Sequence, residues 1–275
     1  IDIAYSRILA DNLSGGMALR FVNSNLTQGQ VVGGSQTKAG RAIAADISAY
    51  YENDDFKLFE KDAVFAAGMV VSNIGNKMTY SNSAQKDFIP INLRLGPRVT
   101  LNLDESNSIS LTTDINKLLV PTPPVYDPDG GATATIIAGE DPERGVASGM
   151  FGSFTDAPGD VQDNGDGTYT VLPGSVFKEE MREFNFGVGS EYWYSDQFAL
   201  RAGYFWEHEL KGNRKFVTLG AGLKYQVFAL DFSYLIPAYF AANQATQQSP
   251  LQNTLRFSLK FDFDAFKAGA EESAE

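Results

Sequence analysis

The sequence predicts an all-β protein, a transmembrane antiparallel β-barrel, and three observations lead there. The last apolar run alternates without a fault. Leu255, Phe257, Leu259, Phe261 and Phe263 fall on one face, with Arg256, Ser258, Lys260 and Asp262 on the other. A period of two means a strand, because successive side chains leave opposite sides of the pleat. A face made only of Leu and Phe, opposite a charged one, suits lipid outside and a polar lumen inside. Second, no run of eighteen apolar residues exists, which excludes a transmembrane helix but not barrel strands of about ten half-apolar residues. Third, the connections alternate between short and long, as the turns and loops at the two ends of an outer-membrane barrel do.

Taken in order, Ile1, Ile3, Tyr5 and Arg7 mark a first strand, turned by Asp11-Asn-Leu-Ser-Gly15. Met17, Leu19 and Phe21 share a face in the second, opposite Arg20 and Ser24. After the polar Thr27–Gly40 loop, Ile43, Ala45, Ile47, Ala49 and Tyr51 alternate against Asp46 and Ser48. Glu52 to Asp62 reads as a charged connection to Phe65, Ala67, Met69 and Val71. The loop Asn73–Asp87 leads to Ile89, Ile91, Leu93 and Leu95, opposed by Asn92 and Arg94, in a run continuing to Leu103. Asp104–Asn107 turns the chain into Ile109, Leu111, Thr113 and Ile115. Beyond residue 182 the alternation is strongest. Phe184 to Tyr194 (with Ser190 the exception), Phe198 to Trp206, Val217 to Tyr225, Phe228 to Tyr234 and Leu255 to Phe263 each keep one apolar face. Lys211-Gly-Asn213 and Ala241–Ser249 connect the later strands.

These make about eleven strands, fewer than the even number that closes a bacterial barrel. Setting the Asp11–Gly15 turn on the periplasmic side puts Ile1 outside; with the N-terminus of the whole protein in the periplasm, an odd number of strands is then expected before it. The expected organisation is a barrel over 1–263 whose N-terminal strands are absent, an extracellular insertion over 120–182, and an acidic periplasmic tail over 264–275.

Composition narrows the chemistry. A formal charge of −12 argues against nucleic acid, which needs a basic surface. Zero cysteines remove disulfides and thiolate chemistry, and the single histidine, His208, precludes a multi-histidine metal site within this chain. His208 reads as a polar residue at a strand end. Twenty Phe and twelve Tyr suit interfacial girdles. Arg20, Asp46, Arg94, Asp114, Glu191, Arg201, Glu207, Lys224, Asp231 and Arg256 occupy the polar register. Their mixed signs favour an internal salt-bridge network over a passive pore with a selectivity ring of one sign. The Glu179-Glu180 pair reads as solvated on a surface helix. No catalytic constellation, cofactor or metal site is found, so the reading is not an enzyme.

The connection from Val120 to Arg182, about 60 residues, is far longer than ordinary loops and so marks function. Asn164-Gly165 and Asp166-Gly167 sit between β-formers; too few acidic ligands are present for a calcium loop, and a hairpin fits better. Met150, Phe151 and Phe154 on a glycine-rich segment are costly in water. Either they tuck into the barrel mouth as a lid, or they form an apolar docking site.

Three ordered motifs carry a resemblance. Asn116-Lys-Leu-Leu-Val-Pro-Thr-Pro-Pro-Val-Tyr126, Gly149-Met-Phe-Gly-Ser-Phe-Thr-Asp-Ala-Pro-Gly159 and Phe177-Lys-Glu-Glu-Met181 resemble the PorV (LptO) family of type IX secretion outer-membrane proteins. Phe88–Gly96, Glu191–Tyr194 and Gly203–Trp206 fit as well, and the chain departs from the family by an insertion over 160–176. The resemblance implies a fatty-acid-transporter-like barrel of fourteen strands. It implies an outer-membrane shuttle that takes the C-terminal signal domain of secreted cargo from a giant translocon barrel to a surface sortase. Membrane lipid or lipopolysaccharide is a further expected partner. Asp156, Pro158 and Phe177 join Met150, Phe151 and Phe154 as the expected partner-binding set. The competing reading is an outer-membrane transporter for hydrophobic small molecules.

Overall fold

The computed structural model describes residues 1–25, 29–32, 35–81, 86–131, 134–238, 251 and 253–261. In chain order the strands are β1 (Asp2–Ala10), β2 (Leu13–Ser24), β3 (Val31–Val32), β4 (Ser35–Gln36), β5 (Gly40–Leu58), β6 (Lys61–Gly75), β7 (Asn92–Asn102), β8 (Asn107–Leu118), β9 (Val125–Tyr126) and β10 (Ile136–Ala138). Then come α1 (Val146–Gly152), β11 (Val161–Asp163), β12 (Tyr169–Val171), α2 (Ser175–Arg182), β13 (Asn185–Tyr194), β14 (Phe198–Trp206), β15 (Lys215–Tyr225), β16 (Phe228–Pro237) and β17 (Thr254–Phe261). The predicted all-β class is the one adopted. Eleven strands form a single antiparallel sheet in the order β1-β2-β5-β6-β7-β8-β13-β14-β15-β16-β17, and the other six strands pair as three small hairpins. Among the described residues no helix is long and apolar enough to cross a membrane, which leaves crossing by strands open.

The chain divides into two compact units, residues 1–51, 68–95 and 116–184 in one, and 52–67, 96–115 and 185–275 in the other. In the second unit the register reproduces the alternation of the sequence. Leu223 pairs with Leu230 and Leu230 with Leu259; Leu219 pairs with Tyr234 and Tyr234 with Leu255. Leu200 pairs with Ala221, and Tyr204 with Val217. One face is therefore apolar and exposed along four successive strands. At one end Tyr194, Phe198, Tyr225, Phe228 and Phe261 form an aromatic row, and at the other Phe186 lies opposite Trp206, as membrane girdles do. Strands β13 to β16 have 10, 9, 11 and 10 residues, the length that a tilted strand needs to span a bilayer.

The opposite face carries Arg201, Gly203, Gly220, Gly222 and Asp231. A Cβ at Gly222 would lie 2.8 Å from both Arg201 Nη1 and Asp231 Oδ1, so glycine makes room for that ion pair. Tight turns close the hairpins. Ser195 and Asp196 both take positive φ, as do Phe59 and Glu60, the geometry of two-residue hairpin connections.

Two expectations are corrected here. Glu52–Asp62 is not a connection: β5 runs on to Leu58 and β6 starts at Lys61, leaving only Phe59 and Glu60 to turn. The charges there hid the strand because they lie on both faces. They are held by Arg98–Glu52 at 3.7 Å and Lys57–Asp62 at 3.6 Å, and the Phe56 ring lies 6.4 Å from that of Phe65. Ile89 and Ile91 are not strand residues either. They precede β7 and are buried, 4% and 0% exposed, in an apolar cluster with Ala42, Ala44 and Leu119. Phe263, the Ala241–Ser249 loop and the 264–275 tail lie outside the described residues, as do parts of Thr27–Gly40 and Asn73–Asp87.

Candidate functional site

The long connection is a folded structure held inside the first unit. Its base is the cluster of Ala42, Ala44, Ile89, Ile91 and Leu119, against which Phe88, Val120, Val146 and Met150 pack. Helix α1 reaches this cluster by close approach. A Cβ on Gly149 would lie 2.5 Å from Phe88 Cζ and 3.1 Å from Pro121 Cγ, so only glycine lets the helix settle there. Gly149→Ala should cost about 1–3 kcal/mol of loop docking by overpacking, read as faster proteolysis of this connection in an otherwise folded protein.

Charge then locks the second helix. Lys117, at the end of β8, has a fully buried side chain. Its Nζ donates to Glu180 Oε2 at 3.2 Å and to Glu183 Oε2 at 2.6 Å. The remaining carboxylate oxygens are used as well: Glu180 Oε1 accepts from Ala157 N at 2.8 Å, and Glu183 Oε1 from Thr122 Oγ1 at 2.7 Å. Gly159 N donates to Glu179 Oε2 at 2.9 Å. The rings of Phe154 and Phe184 lie 5.5 and 5.3 Å from the same ammonium. Asp156, 1% exposed, accepts from Thr122 N at 3.4 Å and pairs with Arg144, which also holds Glu140. Burial pushes the Asp156 carboxyl above its ordinary range, against the pull of Thr122 and Arg144. The Lys117 site, with all four carboxylate oxygens of Glu180 and Glu183 satisfied, fixes one geometry, and breaking it is costly.

The expectation that Glu179-Glu180 is solvated is therefore corrected: Glu180 is 4% exposed and closes the ion pair of Lys117. Lys117, Thr122, Arg144 and Glu183 were not among the expected site residues. The six that were divide by position. Asp156 and Pro158 are buried, and Met150 is half-buried against the cluster. Phe151 and Phe177 stand 72% and 68% exposed, and Phe154 41%. The loop thus presents three phenylalanines outward on a base held by buried charge. The segment read as a hairpin is one, with Val161–Asp163 paired to Tyr169–Val171. Among the described residues no acidic or histidine cluster could hold a metal.

The polar-register charges form separate groups. Arg20 pairs with Asp2 and Asp46, both at 3.1 Å, and donates to Asn73. Arg94 Nε donates to Asn116 Oδ1 at 2.7 Å. In the second unit Arg201 joins Glu191 and Asp231, the latter at 2.7 Å, with Lys260 4.0 Å from Asp231. Glu207 lies past the end of β14, buried, and pairs with Arg214 at 2.6 Å. Asp114, Lys224 and Arg256 are exposed. A concavity of about 510 Å³ is lined by Ser110, Thr112, Asp114, Glu191, Arg201 and Thr218 among others. His208 begins the short 3₁₀ turn Glu209–Lys211, its Nδ1 accepting from Leu210 N at 3.2 Å.

Comparison with known proteins adds a family. No curated protein matches the chain. Residues 1–125 match the family model described as type IX secretion system protein PorV; the match takes in Lys117 and Thr122 and ends before α1 and α2. Over those residues, a little under half of the chain, it is similar to the PorV family of type IX secretion system proteins.

Proposed function

We propose that this protein is an outer-membrane shuttle of the type IX secretion system. It binds the C-terminal signal domain of secreted cargo and passes it from the translocon to the surface sortase. The long connection, placed outside the cell, is its docking face. One observation supports this most: Phe151 and Phe177 are largely exposed on a segment whose base is immobilised by Lys117, Glu180 and Glu183. Exposed aromatics on a rigid base lose little conformational entropy on binding and are frequent hot spots. Met150, Asp156 and Pro158 act in this reading as positioning residues, since they sit within the fold.

Phe151→Ala with Phe177→Ala tests it in outer-membrane pull-downs. Truncation at a hot spot costs about 2 kcal/mol or more, roughly thirtyfold in affinity. Cargo signal domains should then stop co-purifying while heat-modifiable gel migration stays normal, because neither side chain is buried. Unchanged capture of cargo by the folded variant ends the reading.

A further inference from the structure

Lys38, Arg41, Lys77 and Lys86 surround a cavity of about 450 Å³, with Asn76 and Thr79 in its wall. In a chain of net charge −12, four cations around one concavity reverse the general character of the surface. Among the described residues none of the four is paired with a carboxylate. This separates them from Arg20, Lys117, Arg201 and Arg214, each of which is neutralised by acids.

Two of the four are held in place by neutral groups. Arg41 Nε donates to Asn23 Oδ1 at 3.3 Å, which leaves the terminal nitrogens of its fork for a ligand. Lys77 Nζ lies 4.2 Å from the centre of the Phe88 ring and donates to the Pro142 carbonyl at 3.3 Å. A carbonyl and a ring fix an ammonium without cancelling its charge. Lys38 and Lys86 are exposed and complete the ring of charge. A planar fork beside point-charge ammoniums matches the tetrahedral oxygens of a phosphate.

The neighbourhood indicates where that phosphate comes from. Arg41 is paired with Asn23 across β2 and β5, and the next pair on the same face is Phe21 with Ile43, followed by Leu19 with Ala45 and Met17 with Ile47. Phe21, Leu19, Met17, Ile43 and Ile47 are all exposed. The cations therefore border the end of an exposed apolar face. We propose that this pocket binds the phosphate of a lipid headgroup whose acyl chains lie along that face. The lipid source rests on the outer-membrane reading above; the phosphate chemistry does not.

The test uses the full chain in maltoside micelles, with dioleoyl phosphatidic acid, dioleoyl phosphatidylcholine and sodium phosphate as separate probes. Saturable binding of phosphatidic acid, at least tenfold tighter than phosphatidylcholine, is expected, and Arg41→Gln with Lys77→Gln should weaken it by about tenfold or more. Lys57→Gln with Lys61→Gln removes the same charge elsewhere and should leave it unchanged. If only sodium phosphate binds, in a manner dependent on Arg41 and Lys77, the pocket stands as a phosphate site and the lipid source falls. Equal binding of the two lipids overturns the proposal. So does equal loss in the two double variants, or undiminished binding by a folded Arg41→Gln, Lys77→Gln variant.

Discussion

Lys117→Met should release the long connection from its base. The substitution keeps the length of the side chain but removes the one cation between Glu180 and Glu183, whose side chains are 5% and 12% exposed. Two carboxylates are then left in a site with little water. Ala157 N and Thr122 Oγ1 still donate to them, but neither carries charge. Removing one partner of a buried pair costs about 3–5 kcal/mol, because the desolvation penalty of the other remains. When opening is fast relative to cleavage, proteolysis follows the open population, so cutting at Arg144, Lys178 or Arg182 should rise by about two to three and a half orders of magnitude. Adding Glu180→Gln and Glu183→Gln should recover much of the loss, since amides pay no charge penalty. Heat-modifiable migration should persist in both variants. An unchanged cleavage rate in Lys117→Met would mean that the ion pair does not hold the loop.

That site was only partly legible in the sequence, and the reason is physical. Strands reveal themselves through local period, so Phe198 to Trp206 or Leu255 to Phe261 could be placed on a face from their neighbours alone, and the pairing of Leu223, Leu230 and Leu259 agrees. A buried ion pair has no local signature. Lys117 and Glu180 are 63 residues apart, and Glu180 sits among charges that read as a solvated helix face. One hint was present. Counting by two, Lys117 follows Ile109, Leu111 and Ile115, where a lysine must either reach past the apolar band or be covered. Similarly, Ile89 and Ile91 showed the apolar alternation of a strand although their partners are loop and strand side chains of the buried cluster. The exposed phenylalanines of the long connection, Phe151, Phe154 and Phe177, were visible as residues out of place. Which of the expected partner-binding residues lie inside depended on the fold of the loop.

Leu219→Arg should destabilise the second unit by about 2–4 kcal/mol in lipid, the cost of a charge on the outer face near the midplane of a membrane barrel. Leu219 is in the middle of β15, 49% exposed, flanked across the sheet by Ala202 and Tyr234. Four residues separate it along the strand from Leu223 and another two from Tyr225 in the aromatic row, while Trp206 lies near the opposite end of the same band. An arginine there cannot reach either girdle without bending its stem along several apolar rows. The neighbouring position gives the contrast. Thr218 is on the other face, near the Gly203 backbone and the concavity that holds Arg201 and Asp114, where polar groups are already accommodated. Thr218→Arg should therefore meet repulsion from Arg201 and crowding at Gly203, but no lipid penalty. The penalty at Leu219 should be small when the protein is unfolded from detergent and appear in full when it is unfolded from bilayers, whereas the cost of Thr218→Arg should be alike in both. Equal denaturation midpoints for Leu219→Arg and the parent chain in bilayers would refute the assignment of this face to lipid.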